Sequence, residues 1–189
     1  MLKKYFMVVV ILLSFMVLKN YWGTGIVFAE EKKEALNNQR STGMSSDITS
    51  KLVGDWKLVS LYSQDSTGKT GYPLGKNARG RLTYESNGRL AVQVMNPNRP
   101  RFASGDPLLT SEAEVRAAFG GYIAYYGSYS VNPGERVIVH HVEAALIPNW
   151  VGTDQIRNFD FDGTRLTLSG PLTLGGVQET VNLVWERLP

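Results

Sequence analysis

Arg157 lies in the run Gln155-Ile156-Arg157-Asn158-Phe159-Asp160-Phe161. As a strand, this run puts Gln155, Arg157, Phe159 and Phe161 on one face, because successive side chains alternate. A cation on an apolar face needs a partner, since unpaired buried charge is costly. Three readings meet that need: an anionic ligand head, an internal pair with Glu143, or water at the mouth of the domain. His140 and His141 are adjacent, so on a strand they face opposite ways and cannot chelate one metal together. The face shared by His140, Ile138, Val142, Ala144 and Leu146 is the more apolar, which places His140 inward. Either histidine with Glu143 would make an acid–base pair, since neutral imidazole accepts a proton near pH 7. The plainer role is one hydrogen bond in the wall. Tyr122, Tyr125, Tyr126 and Tyr129 crowd one segment, as donors to a ligand oxygen or as packing aromatics. Trp150, after Pro148-Asn149, is placed to gate a cavity or to plug one end of it.

Other chemistries lack their residues. There is no cysteine, hence no disulfide, thiolate metal site or thiol nucleophile. Ser104-Gly105-Asp106 reads as a turn, not a phosphate loop, and no Gly-x-Ser-x-Gly elbow occurs. The carboxylates show no calcium-loop spacing. The sequence therefore calls for neither a metal nor a cofactor.

The elements that must position these residues are strands. Alternating apolar runs at 56–63, 79–85, 89–95, 122–131, 136–146, 155–161, 164–169 and 180–187 are separated by turn residues. Asn87-Gly88, Asn132-Pro133-Gly134 and Asp162-Gly163 mark hairpins. One helix interrupts, opened by the capping box Ser111-Glu112-Ala113-Glu114 and ended by Gly120-Gly121, with Val115, Ala118 and Phe119 as its apolar stripe. The fold class is all-β: an eight-stranded antiparallel up-and-down barrel with one short helix between the third and fourth strands. Such a barrel fills with side chains or holds one small ligand. The irregular stretch 96–110 before the helix is a candidate lid.

Hairpin register predicts the faces. About Asp162-Gly163, Phe159 opposes Leu166, Arg157 opposes Leu168, and Asp160 and Arg165 pair in solvent. A two-residue turn at Asn87-Gly88 sets Leu82, Tyr84, Ala91, Gln93 and Met95 against Arg81, Thr83, Glu85, Leu90, Val92 and Val94; neither face is plainly apolar, and the charges of Arg81 and Glu85 favour the first as inward. The first strand groups Trp56, Leu58, Ser60 and Tyr62, and the last groups Val181, Leu183 and Trp185 with Arg187. The candidate ligand-binding set is Tyr84, Gln93, Met95, Tyr122, Tyr125, His140, Trp150, Gln155 and Arg157.

Charge and termini bound the partners. The chain of 189 residues has 20 Lys+Arg and 17 Asp+Glu. The excess cations, Lys3, Lys4 and Lys19, all lie in residues 1–29, which hold no acid. The remainder is neutral, which disfavours nucleic acid as a partner. Lys3 and Lys4 precede an apolar run from Tyr5 to Leu18, and Val27-Phe28-Ala29 fits signal-peptide cleavage before Glu30. The run is short of the ~20 residues that span a bilayer. An uncleaved anchor would bury Lys19 at roughly 2.5–3.5 kcal/mol. The expected organisation is a signal peptide at 1–29, a disordered linker at 30–50 and a barrel at 51–189. The domain would then work outside the cytoplasm, and meet a membrane only if the leader is retained.

Several segments together resemble the bacterial and fungal lipocalin-like domain family. They are Leu52-Val53-Gly54-Asp55-Trp56, Gly80-Arg81-Leu82-Thr83-Tyr84, Asn98-Arg99-Pro100-Arg101-Phe102, Gly121 to Gly127, His140-His141-Val142-Glu143 and Pro148-Asn149-Trp150-Val151-Gly152. Gly54-Asp55-Trp56 looks like the lipocalin Gly-x-Trp signature, and Arg187 like the arginine that closes over its tryptophan. The resemblance runs from Leu52 to Arg187 and implies an eight-stranded barrel, but no single activity. The expected function is binding of a small apolar or aromatic molecule, an anionic amphiphile included. The alternatives are an isomerase, cyclase or dehydratase using His, Glu and Tyr as proton carriers, and a filled barrel acting through its outer face.

Overall fold

The computed structural model describes residues 30–36 and 47–189, the Leu174 side chain excepted. The segment read as a leader, 1–29, lies outside the described residues, as does 37–46. Residues 30–36 and 47–52 are helical, where the sequence was read as a disordered linker. Glu, Lys, Ala and Leu, which dominate 30–36, are strong helix formers. At 47–52 the helix gains an Asp47–Lys51 ion pair at 2.6 Å and buries Leu52, so ordered structure begins ahead of residue 51.

Nine strands follow: β1 (Gly54–Gln64), β2 (Thr70–Gly71), β3 (Arg79–Tyr84), β4 (Arg89–Met95), β5 (Tyr122–Asn132), β6 (Val137–Ala145), β7 (Asp154–Phe161), β8 (Arg165–Leu174) and β9 (Val177–Arg187). Each pairs antiparallel with the next, except that β2 only extends the end of β1, which passes on to β3. β1 also pairs with β9, from Trp56 opposite Arg187 to Gln64 opposite Thr180. That pairing closes eight strands into a barrel and leaves β2 as a short appendage. The helix α1 (Glu112–Gly120) sits between β4 and β5, with the expected capping box formed by Ser111 and Glu114. None of its residues is buried.

One end of the barrel is packed shut. Trp56, Trp185, Leu52, Leu82 and Leu166 are fully buried, and Phe161 meets Trp56 edge-on at 5.9 Å. The Trp56 Nε1 donates to the Leu52 carbonyl at 2.9 Å. The Arg187 guanidinium lies 4.3 Å from the Trp56 ring centre and donates to the carbonyls of Val53 and Lys51. This cation–π stack fastens the last strand to the start of the first.

Three local features correct the expected faces. The β3–β4 connection has three residues, Ser86-Asn87-Gly88, not two. Glu85 N–H donates to the Arg89 carbonyl at 2.8 Å, and Gly88 takes φ 82°. A one-residue change in loop length flips a strand's faces. Tyr84 therefore opposes Leu90, and Leu82 opposes Val92. The inward residues of β4 are Leu90, Val92 and Val94, while Gln93 is exposed and Met95 and Ala91 are half-buried. In β1 a bulge between Leu58 and Ser60 re-phases the strand, so Leu61 and Ser63 are buried in place of Ser60 and Tyr62. In β6 a bulge at Glu143 brings Ala145 opposite Tyr125, displacing Ala144 from the inner face. The β7–β8 register differs by two residues from expectation, Phe161 opposing Leu166. A shift of two keeps every side chain on its face, so Arg157, Phe159, Leu166 and Leu168 are inward as expected. Asp160 pairs with Arg136 instead of Arg165.

Candidate ligand-binding site

The open half of the barrel encloses a cavity of about 430 Å³. Leu61, Leu74, Val92, Val94, Leu168 and Leu183 supply apolar wall. Phe119 and Gly120, at the C-terminal end of α1, reach its mouth, and Phe119 is half exposed there. The stretch 96–110 is tied to this helix and supplies none of the residues lining the cavity. Ala103 N–H donates to Glu114 at 2.7 Å, and Arg99 donates to the Ala118 carbonyl at 3.3 Å while lying over the Tyr122 ring.

A polar cluster is set into this wall. Arg157 is 6% exposed. Its Nη1 donates to the Ile156 carbonyl at 3.0 Å and its Nη2 to Gln155 Oε1 at 3.2 Å. Among the described residues it forms no ion pair. Glu143 is engaged elsewhere, in a two-point pair with Arg89 at 2.6 and 2.7 Å on the outer surface. The internal Arg157–Glu143 pair is thus not formed, and neither is a His–Glu pair. Space for the guanidinium is made by Gly170, where a Cβ would lie 2.7 Å from Arg157 Nη1.

His140 is inward and 1% exposed. Its Nε2 meets the Tyr84 hydroxyl at 2.6 Å and its Nδ1 the Tyr125 hydroxyl at 2.9 Å. Burial, with help from the nearby Arg157 and His141, lowers its pKa from 6.5 to about 3, so the ring is neutral across the physiological range. Burial also pushes the Tyr84 hydroxyl well up, and the Tyr125 hydroxyl up against the opposing pull of Arg157. Both phenols therefore keep their protons. His141 faces outward, between Ser130 Oγ at 3.0 Å and Asp154 Oδ1 at 2.7 Å.

Of the candidate residues, Tyr122, Tyr125, His140, Trp150, Gln155 and Arg157 line the cavity. Trp150 meets Tyr125 edge-on at 5.8 Å. Tyr122 is at the rim, its hydroxyl donating outward to Gln93 at 3.3 Å. Tyr84 is buried behind His140 and does not line the cavity. Gln93 and Met95 also stay off the cavity wall, for the reason of register given above. Trp185 and Phe119 belong to the wall and were not singled out. The alternation of β9 had already turned Trp185 inward, and the apolar stripe of α1 contained Phe119.

The lipocalin-like domain family matches residues 53–188. The chain belongs to that family. Among curated proteins, the 4'-hydroxy-3'-methoxypropiophenone carrier protein of Aspergillus oryzae is 32% identical over 108 residues, 53% of this chain and 97% of the relative. Among solved structures, a chain of the siderocalin Ex-FABP aligns with 73% of this chain and 71% of its own length, at 11% identity and a TM-score of 0.30. In this lipocalin-like barrel, the cavity combines aliphatic walls with one buried cation and a neutral imidazole closed in by two phenols. An imidazole with so low a pKa and both nitrogens engaged is a poor proton acceptor near pH 7. The arrangement suits holding a molecule better than moving its protons.

Proposed function

We propose that the barrel binds and carries a small apolar or aromatic molecule, with the polar end of that molecule set against Arg157. The observation that carries this reading is a buried guanidinium with no carboxylate partner among the described residues, on the wall of a mainly apolar cavity. Aliphatic walls supply most of the affinity in such sites, and a few polar groups fix orientation. A buried cation is costly until an acceptor reaches it, and a bound oxygen meets that need. The Aspergillus relative is named for carrying an aromatic ketone, a flat apolar body with a carbonyl oxygen. A ligand of that class fits both requirements. We also place the carrier outside the cytoplasm, supported by the basic and apolar character of residues 1–29.

Titration of the protein with propiophenone, followed by quenching of tryptophan fluorescence, tests the carrier reading. Trp150 and Trp185 both line the cavity, so saturable one-to-one quenching is expected. Val92→Phe, which fills the inner wall, is expected to weaken binding at least tenfold. Absence of saturation, or undiminished binding by Val92→Phe, would count against an interior site.

A further inference from the structure

The polar side chains deep in the cavity share one property. Arg157 has N–H donors and no acceptor, and beyond the two N–H groups given to Ile156 and Gln155 it has others left over beside the Tyr125 hydroxyl. Gln155 accepts from Arg157 through its carbonyl oxygen and donates one amide N–H to Thr153 Oγ1 at 3.3 Å, which leaves one amide N–H over. Trp185 lines the cavity, and its Nε1 is the one buried side-chain polar atom without a hydrogen-bond partner among the described residues. That atom too is a donor.

Tyr125 is decided by His140. A neutral imidazole has one N–H and one bare nitrogen, so it donates to one of its two phenols and accepts from the other. Tyr84 is 1% exposed and does not line the cavity, and its hydroxyl has no other partner among the described residues. If it accepted from Nε2, its own proton would be buried without an acceptor, which is costly. Tyr84 therefore donates to Nε2, and Nδ1–H donates to the Tyr125 oxygen. The Tyr125 proton is then released toward the cavity that this residue lines. The neighbouring guanidinium favours the same arrangement, since it attracts the phenol oxygen and repels the proton.

We propose that the cluster of Arg157, Gln155, Trp185 and Tyr125 presents spare donors to the cavity and selects ligands through a hydrogen-bond-accepting oxygen, with Tyr84 and His140 as positioning residues that hold Tyr125 as a donor. This rests on the reading of the cavity as the ligand site. A carbonyl or carboxylate oxygen on an aromatic skeleton is the group it takes. Hydrocarbons bind through the walls alone, and ammonium compounds are refused.

Two measurements on the full chain test it. The first is the ¹⁵N spectrum of the His140 ring without ligand. A protonated Nδ1 and a bare Nε2 are expected, and a protonated Nε2 would overturn the proposal with no ligand involved. The second compares propiophenone, propylbenzene and phenylpropylammonium by calorimetry. The ketone is expected to bind about tenfold or more tighter than the hydrocarbon, and the ammonium most weakly. Tyr125→Phe, and Tyr84→Phe without touching ligand, are each expected to shrink the ketone-to-hydrocarbon ratio about threefold or more. In Tyr84→Phe the ring spectrum is expected to lose its fixed tautomer, which a purely structural loss would not produce. Equal binding of ketone and hydrocarbon would sink the selection and leave the carrier reading standing. Failure of every probe to bind would remove both.

Discussion

At the scale of single residues, the site is built by taking partners away. Arg157 and His140 are both buried, yet the counterion offered by the sequence reading, Glu143, is turned outward and held by Arg89. Burial, with Arg157 and His141 nearby, keeps His140 neutral, and that has a pH signature. Its pKa is 6.5 in a free chain and about 3 in the fold. Between those values the unfolded chain binds the proton and the folded one does not. The contribution is fully present above about pH 6.5 and is lost as pH falls towards 3, by up to about 1.4 kcal/mol per pH unit. Urea unfolding at pH 7 and at about pH 4.5 should show this loss in the wild type, and His140→Gln should flatten the difference by one proton's worth. Arg157 and His140 were both legible as inward residues, because each stands in a run of alternating apolar neighbours. The two-phenol cradle around His140 was not. It joins β3, β5 and β6, and no local pattern specifies how strands meet across a barrel.

At the scale of elements, bulges and one loop length decide what reaches the cavity. Glu143 is the extra residue of the β6 bulge, which lets His140 and Val142 face in on one side and Ala145 on the other. Gly127 sits opposite this irregularity. A Cβ there would run into the His141 carbonyl oxygen and stand 3.0 Å from the Glu143 nitrogen. Gly127→Ala is expected to destabilise the fold by about 1–3 kcal/mol, as backbone is forced apart, and to loosen the His140 contacts. A lowered unfolding midpoint in urea, with the wild-type slope retained, is the check. Unchanged stability would mean that the bulge is not held in place by this close approach. Such features were hard to foresee. Asn87-Gly88 is the signature of a two-residue turn, but Asn87 Oδ1 takes the Arg89 N–H at 3.0 Å and a three-residue loop results. The single added residue exchanged Gln93 and Met95 for Val92 and Val94 on the inner face. The β7–β8 loop was misjudged by two residues and cost nothing, because the side-chain period is two.

At the scale of the molecule, one closed sheet does two jobs. Its lower end is fastened by Trp56, Trp185 and the Arg187 stack, and its upper half is left open for a guest. The eight strands and the helix position were legible, because hairpin signals and alternation are local, and the fastening was implied by the family resemblance. The cavity volume and the donor character of its wall depend on side chains from several strands at once. With the fastening at one end and Arg157 on the cavity wall, stability and binding should respond differently to one substitution at Arg157. Arg157→Leu is the direct test, by parallel thermal unfolding and propiophenone titration. Affinity is expected to fall about 10–100-fold, the worth of a charged hydrogen bond, while the unfolding midpoint holds or rises because a buried cation has been replaced by an apolar side chain. A collapse in stability with affinity unchanged would contradict a ligand clamp and make Arg157 a structural residue.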